Sequence, residues 1–149
     1  MNYSELMNYQ GYLYLNSISE SSDSTLVLEL DRTIIKGVKE NEQTEVSQSD
    51  SYGSIDVDES LPIIRLVFDW YIAYSIRNEA YTVGDQYEVY DGKAFCIYSK
   101  SRYLDFINVS TIASDFHPGP FKHYGINALN HIIDVGSTEP PTISLIHRI

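Results

Sequence analysis

Ile64, Leu66, Phe68, Trp70, Ile72, Tyr74 and Ile76 fill every even position from 64 to 76, and the odd positions from 65 to 77 hold Arg65, Val67, Asp69, Tyr71, Ala73, Ser75 and Arg77. Successive side chains of a strand point to opposite faces, so this order predicts a strand whose even side meets a core. A helix is the rival reading, because Arg65 and Asp69 would then share a polar stripe. The β-branched and aromatic residue types favour the strand. At about 3.3 Å per residue it is long for a globular sheet, which predicts a bulge or bend near its middle.

Shorter signals extend the sheet. Leu26, Leu28 and Leu30 alternate with Val27, Glu29 and Asp31, and Thr33 to Val38 continues that strand or returns as its partner. Gln86–Tyr90 and Lys93–Tyr98 flank Asp91-Gly92, a dipeptide suited to a tight hairpin turn. Lys122–Leu129 and His131–Val135 read as strands around a break at Asn130, and Ile143–Ile146 as a final edge strand. His117-Pro118-Gly119-Pro120 is a turn by its chemistry. Ser99 can cap a helix over about 100–113, with Tyr103, Phe106, Ile107 and Ser110 on one side. Met1–Tyr9 suits another short helix, and Tyr12–Leu15 the start of a strand. Two polar stretches stand apart: Asn16–Thr25 reads as a loop, and Glu40–Ser60 as a mobile loop or a weak hairpin. The expected fold is α+β: a mainly antiparallel sheet, bent or partly closed, with one or two helices in a single domain over 1–149.

Composition bears on partners. Ten basic residues against 21 acidic ones give a net charge of −11, and nucleic-acid binding requires clustered Lys and Arg. The same charge disfavours an anionic membrane surface and favours a basic protein partner. Seven of the carboxylates, Glu40, Glu42, Glu45, Asp50, Asp56, Asp58 and Glu59, lie in a stretch without Lys or Arg. With Tyr52, the one aromatic among them, they are the candidate partner-binding residues of a flexible acidic loop. The 13 tyrosines suit half-buried strands and contact surfaces alike. The single Cys96 lies between Phe95 and Ile97, which predicts a buried thiol and no internal disulfide. The start of the chain lacks the basic and apolar run of a signal peptide, and Leu61–Ile76 carries Arg65 and Asp69. A cytoplasmic location is the expectation.

No motif for catalysis or a cofactor stands out. His117, His123, His131 and His147 have spacings that match neither a helical pair nor neighbouring positions on one face of a strand, so separate roles are expected and no metal. Asp56-Val57-Asp58-Glu59 lacks the ligand ladder and glycine of a calcium loop. Neither a Gly-x-Ser-x-Gly elbow nor a phosphate-binding glycine loop occurs, and no serine is singled out for a triad. The expectation is therefore no enzyme and no cofactor, unless a Ser, His and Asp meet within hydrogen-bond reach in a concave site. Asp69, between Arg65 and Arg77, is expected to form an ion pair across strands if its face is covered. A small-molecule or peptide pocket lined by Trp70, Tyr71 and Tyr74 is the alternative to a protein contact surface.

Tyr98–Phe106, Lys122–Ile126 and Leu129–Val135 are similar in style to segments of small bacterial proteins. In size, charge and solitary-domain style the chain resembles the small acidic immunity proteins that accompany bacterial polymorphic toxins. That resemblance implies an inhibitor that blocks a toxin through a tight protein–protein complex, without chemistry of its own.

Overall fold

The computed structural model describes residues 1–37 and 53–149. Two antiparallel five-stranded sheets face one another across a shared hydrophobic core. The first holds β1 (Leu13–Ser22), β2 (Thr25–Lys36), β4 (Ile63–Asp69) and β10 (Thr142–Ile146) in that order, with β3 (Ser54–Val57) pairing the far end of β2. The second runs β5 (Ala73–Asn78), β9 (His131–Ser137), β8 (Lys122–Asn127), β7 (Phe95–Lys100) and β6 (Val89–Gly92). The fold is α+β with a bent, mainly antiparallel sheet framework, as the alternation implies. Among the described residues, no helix is long and apolar enough to cross a membrane.

The alternating run is two strands. Its first half, β4, buries Ile64, Leu66 and Phe68 and pairs Leu66 with Leu28 of β2. The chain then turns at Trp70, whose φ is +54°, and enters the other sheet as β5. Backbone bonds brace this corner on both sides: Tyr71 N–H donates to Ser24 O (3.2 Å) and Ile72 N–H to Gly136 O (2.8 Å). The expected bend is thus a crossing between layers, and the even-side rule fails at Trp70 and at Ile76, both of which are exposed.

On the second sheet Tyr124, Ile126, Ile133 and Val135 face the first, and Phe68 meets Tyr124 with ring centroids 5.7 Å apart. α1 (Tyr3–Met7) closes one end of the core with Leu6, held by an Asn2–Glu5 capping box.

Several boundaries differ from the expectation. Residues 16–22 belong to β1, because ladder bonds to β2 hold a strand in which Ile18 alone of this half packs against the core and Ser19–Ser22 are exposed, so no apolar alternation shows. The β6–β7 turn lies at Lys93–Ala94. Gly92 enters it at φ +97°, where a Cβ would sit 2.0 Å from Phe95 O. Because Val89 pairs with Lys100, β7 runs past Ser99; Ser101 is the cap of α2 (Arg102–Ser110), its Oγ accepting the Leu104 N–H at 3.0 Å.

Candidate functional site

α2 lies on the outer face of the second sheet, with Ile107 its buried anchor. The register of that sheet aligns Ser75, Asp134, Gly125 and Cys96 in one row and Ala73, Gly136, His123 and Tyr98 in the next. Polar residues therefore meet under the helix.

Ser101, His123 and Asp134 form a buried hydrogen-bonded chain. Ser101 Oγ lies 2.7 Å from His123 Nδ1, and His123 Nε2 lies 2.7 Å from Asp134 Oδ1. Asp134 accepts only, so in the neutral imidazole the proton sits on Nε2 and Nδ1 accepts from the serine hydroxyl. Arg77 closes the chain from outside, its Nη2 3.3 Å from Asp134 Oδ2. The Tyr98 ring stacks on His123 at 4.1 Å, and Tyr103 lies on it at a tilt, 5.2 Å away. Gly125 gives Tyr98 its bed, because a Cβ there would come within 2.7 Å of the Tyr98 ring. Burial pushes the Tyr98 phenol well up.

The order serine, histidine, carboxylate is that of an acyl-transfer triad. Here, however, the serine is the helix cap. Its oxygen takes the Leu104 N–H, it donates to His123, and the residue has no exposed surface. Two hydrogen bonds and burial leave that hydroxyl no face toward a substrate.

Beside this chain, between α2, β5 and the segment leading into β6, lies a cavity of about 310 Å³. Asp134 and Tyr103 form part of its wall, and Val83 and Phe106 contribute apolar surface. Arg102 pairs with Asp85 at 3.0 Å and stacks on the Tyr87 ring at 3.8 Å. The Tyr87 N–H, and then Arg102, hold the Asp85 carboxyl below its ordinary value. Tyr87 in turn donates to Asp105, which raises its phenol.

The residues singled out in the sequence fall elsewhere. Glu40, Glu42, Glu45, Asp50 and Tyr52 lie outside the described residues. Asp56 sits on β3 and accepts the Ser54 hydroxyl; Asp58 accepts the Ser60 hydroxyl and N–H, which lower its pKa, and Glu59 is exposed beside it. This is turn chemistry.

Trp70 is 77% exposed, whereas Tyr71 and Tyr74 pack edge to face against the core, 4.9 Å apart. A side chain that open cannot wall an enclosed pocket, which corrects the expected Trp70–Tyr71–Tyr74 lining. Tyr71 also donates to Glu20, and that bond holds its pKa up at about 12. Among the described residues Asp69 takes only a 3.4 Å bond from Thr25, because Arg65 pairs with Glu29 of the neighbouring β2 and Arg77 with Asp134. Cys96 is buried, and burial lifts its thiol to about 11. Among the described residues no three His, Cys, Asp or Glu side chains cluster as metal ligands do.

The other feature absent from the sequence reading is a surface. α2 buries Ile107 but leaves Phe106 54% and Val109 85% exposed, and the turn after it leaves Ile112 89% and Phe116 100% exposed. These apolar side chains lie open along one helix and its following turn, and exposed apolar surface offers a candidate contact surface.

Compared with family models, curated proteins and solved structures, the chain matches none.

Proposed function

We propose that this chain works by binding another protein, with α2 and the turn that follows it as the contact surface. The observation that carries this reading is the exposure of Phe106, Val109, Ile112 and Phe116. Burying a side chain of this kind is worth about 1.5–3 kcal/mol, so four together can anchor an interface. The net charge of −11 supports a basic partner, attracted over distance and held by the apolar contacts. An inhibitor of the immunity type, blocking a basic toxin or nuclease inside the cell, is the specific form of this proposal. The buried, unreactive Cys96 suits a reducing cytoplasm.

The experiment is capture of a basic partner encoded beside this chain, comparing the natural protein with Val109→Asp/Ile112→Asp. Both positions are exposed, so the melting temperature should hold while capture falls at least tenfold. Undiminished capture would remove this surface from the reading.

A hydrolase reading draws on the Ser101–His123–Asp134 order. Covalent labelling of Ser101 by a fluorophosphonate in the folded protein would favour it. The burial of Ser101 leads us to expect none.

A further inference from the structure

We infer that β10 is the seam of a symmetric dimer, its open edge pairing antiparallel with β10 of a second copy of this chain. A sheet edge presents backbone N–H and C=O groups that a further strand can take, so folds blunt their edges with charges, bulges or a covering loop. Most edges of this fold are blunted in that way. The β8–β9 turn occupies the inner half of β1: Leu129 N–H donates to Leu13 O at 2.8 Å, and the Asn130 side-chain amide bonds both Leu15 N–H and Leu15 O. The outer half of β1 carries Glu20, and its register slips after Leu15 and after Glu20. β3 carries Asp56, β5 carries Arg77, and β6 carries Asp91 and a register slip between Val89 and Tyr90.

β10 has none of these devices. Its sequence, Thr-Ile-Ser-Leu-Ile, holds no charge, and it pairs with β4 in unbroken register. Among the described residues no backbone hydrogen bond reaches its other side. Pro140-Pro141 before it, and Arg148 turned back to Leu61 O after it, confine the ladder to five residues. The strand matches itself about a two-fold axis at Ser144. Directly opposed residues of an antiparallel pair share a face. Ile143 therefore meets Leu145 of the second copy on the core side, where each is only partly buried at present. Ser144 meets its own counterpart on the outer side. The two arginines beside the strand are already paired, Arg65 with Glu29 and Arg148 with Asp31. A basic partner finds no carboxylate in this strand, whereas a second copy supplies the same uncharged edge.

So short a ladder is a small interface, and the dimer forms at high protein concentration. Sedimentation of the full chain over a wide concentration range should show monomer giving way to dimer, with slower amide hydrogen exchange in β10. Both copies are acidic, so added salt should strengthen the dimer, whereas it should weaken capture of a basic partner. Ser144→Glu sets like charges face to face across the axis and should weaken dimerisation about fivefold. The melting temperature of the monomer should hold, because Ser144 is exposed and Arg65 lies opposite it on β4. Mixing Ser144→Glu with Ser144→Lys should give tighter association than either variant alone. A monomer at every concentration, or a dimer indifferent to Ser144→Glu, would overturn the inference. So would a monomeric chain whose partner capture falls on Ser144→Glu, since β10 would then seat a strand of the partner. Val109→Asp/Ile112→Asp should leave the dimer intact, because α2 lies on the other sheet, so the dimer and the protein-binding face fail separately.

Discussion

Ser101 Oγ and His123 Nδ1 meet at 2.7 Å, and neither residue exposes more than 1% of its surface. One hydroxyl thereby performs two structural tasks: it caps α2 and satisfies the imidazole that Asp134 orients. Ser101→Ala should lose the cap, about 1 kcal/mol, and leave a buried ring nitrogen without a donor, about 1–3 kcal/mol more. Paired with His123→Gln in a double-mutant cycle, the two changes should couple by roughly 1 kcal/mol, since they remove a shared bond. Urea denaturation measures both. Strict additivity would show that the two residues are neighbours without being partners.

A second buried carboxylate ties down the end of the chain. Asp31 on β2 accepts the Asn16 side-chain amide at 3.0 Å and the Arg148 guanidinium, while Arg148 Nε donates to Leu61 O at 2.9 Å. Removing one member of a buried pair strands the other charge, so Arg148→Ala should cost roughly 2–4 kcal/mol. Arg148→Lys should recover only part of that, because an ammonium lacks the planar fork that serves two acceptors at once. Asp31→Asn/Arg148→Leu should cost less than Arg148→Ala alone. A double variant as unstable as the single one would argue that packing, not charge, is what Arg148 supplies.

How far these features are legible in the sequence depends on how local they are. Leu26–Leu30 and Ile64–Phe68 declare their strands because each has one wet face and one dry face. The outer half of β1 turns only Ile18 toward the core, so its Ser, Asn and Glu residues read as loop although ladder bonds hold them. Trp70 continues the alternation in the sequence while the backbone leaves the strand there. Ser99 and Ser101 are equally good caps on paper, and only the pairing of Val89 with Lys100 decides between them. The site is harder still, since Ser101, His123 and Asp134 are 22 and 11 residues apart. One signal was present: Asp134 sits among Ile132, Ile133 and Val135, where a carboxylate needs partners. On α2, the spacing placed Phe106 beside Ile107 on the packed side, but the helix meets the sheet through Ile107 and turns Phe106 out.

Alkaline stability should expose the buried groups. Burial raises Tyr103 and Tyr124 to about 12 from an ordinary value of 10.0, and Cys96 to about 11 from 9.0. In each case the folded chain keeps a proton that the unfolded chain releases sooner, so rising pH favours unfolding. Stability should be insensitive to these groups below about pH 9, fall as the unfolded thiol ionises, and fall more steeply above about pH 10. The loss should level off only beyond the folded values. Urea midpoints across this range measure the slope, and Tyr103→Phe should lessen it above about pH 10. Constant stability up to about pH 11 would contradict the burial of these groups.

Trp70 sets backbone cost against side-chain use. Its φ of +54° lies in the left-handed region, which costs a bulky L-residue roughly 1–2 kcal/mol, and its ring is 77% exposed, so little packing offsets that cost. Asparagine tolerates this conformation better. Trp70→Asn should therefore hold or raise the urea midpoint, by up to about 1 kcal/mol in stability. Glycine should gain less, because it also loosens the unfolded chain. A drop of more than about 1 kcal/mol on Trp70→Asn would mean that the ring braces the corner between the sheets after all. If stability holds, the indole is retained for something outside the fold, and weaker partner capture by the stable variant would add Trp70 to the contact surface.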